Sequence, residues 1–332
     1  MRLPAARQLA LYPMLGLWAV LVAFFTLFAL FATHDYSHGR ALVATLLTFA
    51  FLLAVMLLFG ARDLPERMAA IAGPSSGWLL GVIIFFIFLV YALGTGAASF
   101  ARLSAVAAFI FLPLALLSSA QSSAPGSWQD LFILVAIWVT VKFGPSHWFW
   151  PYPGGRLAYI FTVMLAVNIA IAGFLLFRRT KGVGYNIAWG TNWTLYILGT
   201  LILIAGIVIP LGLRLHFLIY SPHLSQWKSF FPLSVAILFF TAFPEELLFR
   251  GLLQNFLSSA SNSDTAGWIA ASILFGFSHI TNTHFPNWRY VLLASIAGFF
   301  YGWTWRKTNS IFASALVHAG VDILWHILFL TP

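Results

Sequence analysis

The stretch FPEELLFRG, residues 243–251, sets Glu245, Glu246 and Arg250 within little more than one helical turn. Glu246 and Arg250 are spaced i, i+4 with the acid nearer the N-terminus, the favourable order for a helical ion pair. Glu245, one position earlier, points about 100° around the helix. It cannot share that arginine with the same geometry and is left to find another partner. Pro244 suits a kink or a restarted first turn, where exposed amide donors favour carboxylates.

Two further patterns carry ionisable groups. In FGFSH, residues 275–279, Phe275 and His279 share a helix face. In HAGVD, residues 318–322, His318 and Asp322 do the same, and His326 extends their stripe. Taken singly, His279 reads as a packed core histidine and His318–Asp322 as a polar stripe holding helices together. Taken with the glutamates, they make a hydrolytic centre. Glu245 can act as general base toward water, and His279 can position that water or share its proton. His318 and Asp322 can hydrogen-bond the oxyanion of a tetrahedral intermediate. The same atoms allow a second chemistry. Glu245, His279 and His318 match a catalytic zinc ligand set, in which a divalent metal would activate the water.

The elements that must position these groups are membrane helices. Of 332 residues, 61% are hydrophobic and only 8% charged, against about 25% charged in a soluble domain. Residues 9–32 contain no ionisable group and exceed the roughly 20 residues needed to cross a bilayer. Similar runs recur near 41–61, 77–94, 104–120, 157–177, 194–213, 229–257, 289–305 and 310–330, with shorter ones at 130–144 and 267–281. The expectation is an all-α polytopic membrane protein of about eleven transmembrane helices, because lipid leaves no partner for an open strand edge. The first run, following Arg2 and Arg7, is too long for a signal-peptide core and reads as an uncleaved helix.

The net charge of +9 does not point to nucleic acid. Basic residues cluster in short loops, as membrane orientation requires. With alternating spans, Arg2, Arg7, Arg62, Arg67, Arg178, Arg179, Lys181, Arg306 and Lys307 fall on one side. Arg40, Arg102, Arg156, Lys228 and Arg289 fall on the other. That bias predicts a cytoplasmic N-terminus in the cell (inner) membrane. His34, His38, His147, His216 and His223 fall in loops or span ends and carry no chemistry. The absence of cysteine removes disulfide and thiolate-metal chemistry.

The segment RRTKGVGYN, residues 178–186, is the clearest internal boundary. It divides an N-terminal helical region of unassigned function, residues 1–180, from a C-terminal helical bundle, residues 181–332. Asp130 and Lys142 lie near span ends and read as snorkelling side chains. The second half holds four of the eight acidic residues, three of them inside spans. An ionisable group at mid-membrane costs about 2.5–3.5 kcal/mol on insertion scales and marks a functional site by default.

In order and on separate helices, E-E-x-x-x-R, F-x-x-x-H and H-x-x-x-D resemble the CPBP intramembrane proteases. That family includes the type II CAAX prenyl endopeptidases and bacterial relatives linked to bacteriocin processing or immunity. The resemblance covers roughly residues 181–332 and implies a helical intramembrane peptide-bond hydrolase. Its first glutamate and both histidines map to Glu245, His279 and His318, and its motifs also take in Glu246, Arg250 and Asp322. The last position is often Asn in the family. Here Asp322 either is protonated or orients His318, since an ionised Asp would repel an oxyanion. The resemblance leaves the metal question open. It implies a membrane-associated or lipid-linked peptide as substrate.

Two other functions compete. A non-catalytic membrane binding or immunity protein would keep the fold. A proton-coupled transporter would use buried Glu, His and Arg as a relay, but it predicts inverted repeats and broken helices in both halves, and the sequence carries neither. No H-E-x-x-H occurs, nor the G-x-G-D of an intramembrane aspartyl protease, and GPSS at 73–76 is not G-x-S-G.

Overall fold

A computed structural model describes residues 7–8, 10–32, 39–61, 64–190, 192–223 and 227–331. Arg2, His34, His38 and Arg62 lie outside the described residues, as do the side chains of Arg7 and Lys228. The chain is an all-α polytopic membrane protein. Its extended structure, among the described residues, is limited to two antiparallel two-residue pairs, Arg7–Gln8 with Ala188–Trp189 and Ile219–Tyr220 with Phe329–Leu330.

Among the described residues, eight helices are long and apolar enough to cross a bilayer. The three further runs read as spans also fold as helices. Trp128–Phe143 has 16 residues and Asp264–Phe277 has 14, both short of a full crossing. Trp288–Thr308 has 21 residues but carries Arg306 and Lys307 in its last turn.

The helices form two compact units, one of residues 9–181 and one of residues 182–332 with Arg7–Gln8. In the first unit, Gly155–Phe177 is the central helix, 89% buried along its span. Its Asn168 donates to the Leu52 carbonyl at 3.0 Å, and Phe161 stacks on Trp150 with ring centroids 5.0 Å apart. Asp130 is fully buried, where the sequence suggested a snorkelling side chain. It completes a capping box with Ser127 and meets Arg178 at 2.7 Å.

The second unit is built around a long helical segment, residues 227–261, hereafter the glutamate helix. Two stretches of π-helix interrupt it, at Leu238–Ala242 and Leu247–Gln254, and Phe243–Glu246 lies between them. Such bulges shift the register of a helix face and often occur at functional sites. Helix Trp193–Arg214 turns an apolar face outward, with Leu195 at 77% and Ile202 at 71% exposure, as lipid contact requires.

Three shorter helices complete this unit, and their ends are written in the sequence. The glutamate helix stops at Asn262, in the left-handed conformation with φ 53°, and Ser263 then caps Asp264–Phe277 by accepting from Ala266 N at 3.2 Å. The same Asn-Ser punctuation recurs at Asn309, φ 50°, and Ser310, which caps Ile311–Leu328. Asn is the residue that best tolerates this conformation after Gly. Between helices Asp264–Phe277 and Trp288–Thr308, Gly276 permits backbone-level contact. A Cβ there would fall 2.5 Å from the Val291 carbonyl oxygen.

Candidate active site

Glu246 and Arg250 form the i, i+4 pair that their spacing dictates, with Arg250 Nε 3.0 Å from Glu246 Oε2 and both side chains fully buried. A buried pair is stable only if the remaining lone pairs and protons find partners. Glu246 is well supplied. Its Oε2 also accepts from Ser314 Oγ at 2.6 Å, and its Oε1 faces His318 Nδ1 at 2.9 Å. Arg250 is not, because its Nη1 and Nη2 have no hydrogen-bond partner among the described residues. Aromatic faces hold it instead, with the guanidinium carbon 4.8 Å from the Phe275 ring centroid and 5.9 Å from that of Tyr301.

This network fixes His318. A ring nitrogen facing a carboxylate is the donor, so Nδ1 carries the proton toward Glu246. Nε2 then looks the other way, 3.9 Å from Glu245 Oε2 and 3.6 Å from Asp322 Oδ2. Tyr301 stacks flat on the imidazole at 4.5 Å and 14°. The two glutamates therefore have different surroundings. Glu246 is sealed at zero exposure, and the Glu245 side chain retains 28%. Only Glu245 can meet water directly.

His279 ends helix Asp264–Phe277. Its Nδ1 lies 2.9 Å from the Phe275 carbonyl, so it is again the donor, and Ser278 Oγ lies 3.0 Å away. His279, His318, Asp322, Tyr290 and Tyr301 line one cavity of about 70 Å³, room for several water molecules. The rest of its wall is largely apolar.

Residues 227–324 match the family model of the type II CAAX prenyl endopeptidase Rce1-like domain. This segment, which holds all three sequence motifs, is similar to CAAX-type intramembrane proteases. No curated protein and no solved structure matches the chain.

The geometry gives a role to Phe275, four residues before His279. Phe275 is the hub of the site. Its ring lies 4.8 Å from His279, 5.5 Å from His318 and 5.1 Å from Phe249, and it carries Arg250 on its face. One aromatic side chain thus spaces both imidazoles and the guanidinium.

Glu246, Arg250, His318 and Asp322 come together, with Glu245 at 3.9 Å on the open side of His318. His279 shares with His318 and Asp322 a cavity whose lining does not include Glu245, Glu246 or Arg250. His326, on the same stripe, faces away. It is exposed, and its Nδ1 lies 2.8 Å from the Asp322 carbonyl.

Sequence reasoning missed Ser314, Tyr290 and Tyr301. Ser314 was within reach, since Ser314, His318 and Asp322 recur at four-residue steps on one helix face. The tyrosines have no comparable signal. Tyr290 packs tilted against His279, with ring centroids 4.8 Å apart.

A metal held by Glu245, His279 and His318 would need three lone pairs aimed at one point. His318 donates Nδ1–H to Glu246 and His279 donates Nδ1–H to a backbone carbonyl, so each keeps Nε2 as the nitrogen that would face a metal, the usual way a ligating histidine is held. Among the described residues, no three His, Asp or Glu are grouped to hold a metal ion. The hydrogen bonds of both histidines suit the zinc ligand set suggested by residue types, although the three groups are not drawn around one point in this structure.

Proposed function

We propose that residues 181–332 form an intramembrane endopeptidase and that Glu245 activates the attacking water. Glu245 takes a proton from water, and the hydroxide oxygen bonds to the scissile carbonyl carbon. The carbonyl oxygen becomes an oxyanion facing His318 Nε2. Collapse of this intermediate breaks the C–N bond, and the departing nitrogen takes the proton held on Glu245. For His318 to donate to both Glu246 and the oxyanion it must carry both ring protons, and Asp322 at 3.6 Å stands where it orients that ring. His279, which lines the cavity beside His318, helps to position the water. Glu246, Arg250 and Phe275 are positioning residues.

The observation that carries this reading is the orientation of His318. Its Nδ1 is tied to a fully buried glutamate, so Nε2 is aimed at the partly exposed Glu245. A mainly apolar cavity beside Nε2, with Leu201, Ile204, Val208 and Leu293 among its lining, suits a membrane-associated or lipid-linked peptide. The similarity to CAAX-type proteases supports a prenylated one. The modest charge bias of the loops supports a cytoplasmic N-terminus.

The test is cleavage of prenylated and unmodified reporter peptides by the full chain purified in detergent. Parent protein should cut, and Glu245→Gln and His279→Ala should not. Retained cleavage by both variants would defeat the mechanism. Activity abolished by a chelator and restored by zinc would assign water activation to a metal held by Glu245, His279 and His318.

A further inference from the structure

Toward the C-terminal end of the glutamate helix, the chain builds a second cavity unlike the first. It encloses about 310 Å³ and is lined by Gln254, Asn255, Ser258, Asp264, Arg306 and Lys307, among others. Gln254 continues the stripe Glu246, Arg250, Gln254 and lies eight residues beyond Glu246, about 12 Å along the axis. Its side chain is 1% exposed, and neither Oε1 nor Nε2 has a hydrogen-bond partner. Buried amides are nearly always satisfied, so an unpaired one needs an explanation. The amide rests against bare backbone. A Cβ on Gly302 would come within 2.6 Å of Gln254 Oε1.

The charges on this cavity are held open rather than neutralised. Arg306 packs over the Trp268 ring at 4.7 Å and Lys307 over Trp303 at 4.3 Å. Neither forms an ion pair among the described residues. Asp264, exposed at the first turn of its helix, leaves the lining with one net positive charge. Four helix ends meet here, at Ser261, Asp264, Thr308 and Ile311. Span ends rich in Trp, Arg and Lys lie at the level of lipid headgroups.

We propose that this cavity is a binding site for a phosphate-type monoanion. Gln254 Nε2 and Ser258 Oγ donate hydrogen bonds to its oxygens, and Arg306 and Lys307 supply the charge. The site is separate from the hydrolytic centre, so its occupancy is measurable whether or not the peptidase assay succeeds. Two sources offer this chemistry, an anionic lipid headgroup and free phosphate.

The test uses the full chain in neutral detergent. Its thermal unfolding midpoint is followed while short-chain phosphatidylglycerol, short-chain phosphatidylcholine or inorganic phosphate is added. Lipid retention is read by native mass spectrometry. A rise with phosphatidylglycerol that phosphatidylcholine and inorganic phosphate do not match supports the site and assigns it to lipid. A rise with inorganic phosphate alone supports the site and assigns it to a soluble anion. Lys307→Gln, at a half-buried position, should raise the half-saturating concentration about fivefold. Gln254→Leu should leave the ligand-free protein at least as stable, because it removes an unpaired buried amide, and should abolish the rise. No rise with any probe, or a rise unchanged in both variants, overturns the proposal.

Discussion

Arg178 in the N-terminal unit and Arg250 in the C-terminal unit each pair with a fully buried carboxylate, yet their surroundings differ in kind. Arg178 is saturated. Its Nε and Nη2 grip Asp130 at 2.7 and 2.8 Å, and its remaining donors reach the carbonyls of Ala120 and Ala124. Asp130 in turn accepts from Gly126 N at 3.0 Å and from Ser127 N at 3.1 Å. Every group is answered within one turn-rich corner. Arg250 makes one bond to Glu246 and leaves two nitrogens against aromatic rings, while Glu246 directs its other oxygen to a histidine on another helix. A saturated pair fastens a fold. An incompletely satisfied pair tied to a histidine orients that histidine at some cost in stability.

The sharpest way to break this contrast is through Glu245, the acid outside both pairs. Glu245→Gln should lower peptide cleavage about 10²–10⁴-fold, the usual worth of a general base. Its thermal midpoint should be unchanged, because the side chain is 28% exposed. Cleavage and unfolding measured on the same preparation decide it. A loss of stability that matches the loss of activity would make Glu245 structural.

Arg178→Met comes next. It leaves Asp130 buried and unpaired, which costs about 3–5 kcal/mol. Unfolding should show that loss, while turnover per folded molecule stays at the parent value. A selective loss of turnover would remove the distinction between the two arginines.

The sequence made some of this contrast legible. Glu246 and Arg250 belong to one helix, so their pairing follows from spacing alone and is indifferent to tertiary packing. The Asp130–Arg178 pair joins residues 48 apart, and nothing local marks it. Asp130 therefore read as a side chain reaching for the membrane surface, when it is sealed inside. His318 falls between these cases. Its helix face was readable from Ser314, His318 and Asp322. Its choice of Glu246 over Glu245 was not, because that depends on the register between two helices and on the π-helical turns at Leu238–Ala242 and Leu247–Gln254. Such turns have no fixed sequence signature. The long helices were legible, since each follows from an apolar run, several bounded by caps such as Asn262-Ser263 and Asn309-Ser310, whereas the charged helix Leu64–Ala72 and the short Ser146–Phe149 follow from no such run.

A smaller effect sharpens the role of Glu246. Ser314→Ala removes the 2.6 Å hydrogen bond to Glu246 Oε2 without removing either charge. Hydrogen bonds to charged groups contribute about 1.5–3 kcal/mol, and that is the expected drop in unfolding free energy. Cleavage should fall by less than in Glu245→Gln, because His318 keeps its bond to Oε1. If Ser314→Ala matches Glu245→Gln in turnover, Ser314 touches the reacting atoms and the roles drawn here are wrong.

The smallest expected change in stability comes from removing the pair altogether. Glu246→Leu with Arg250→Met replaces two buried ions by apolar side chains, and such replacements are commonly neutral or stabilising. Arg250 already sits among Phe249, Phe275 and Tyr301 with two nitrogens unpaired, so a methionine loses little there. The double variant should unfold no earlier than the parent. It should not cleave, because His318 Nδ1 has lost the carboxylate that aims Nε2 at Glu245. A stable, inactive double variant would mean that this pair is kept to orient His318. A double variant that both folds and cleaves would mean that His318 is held by Tyr301 stacking and Asp322 alone.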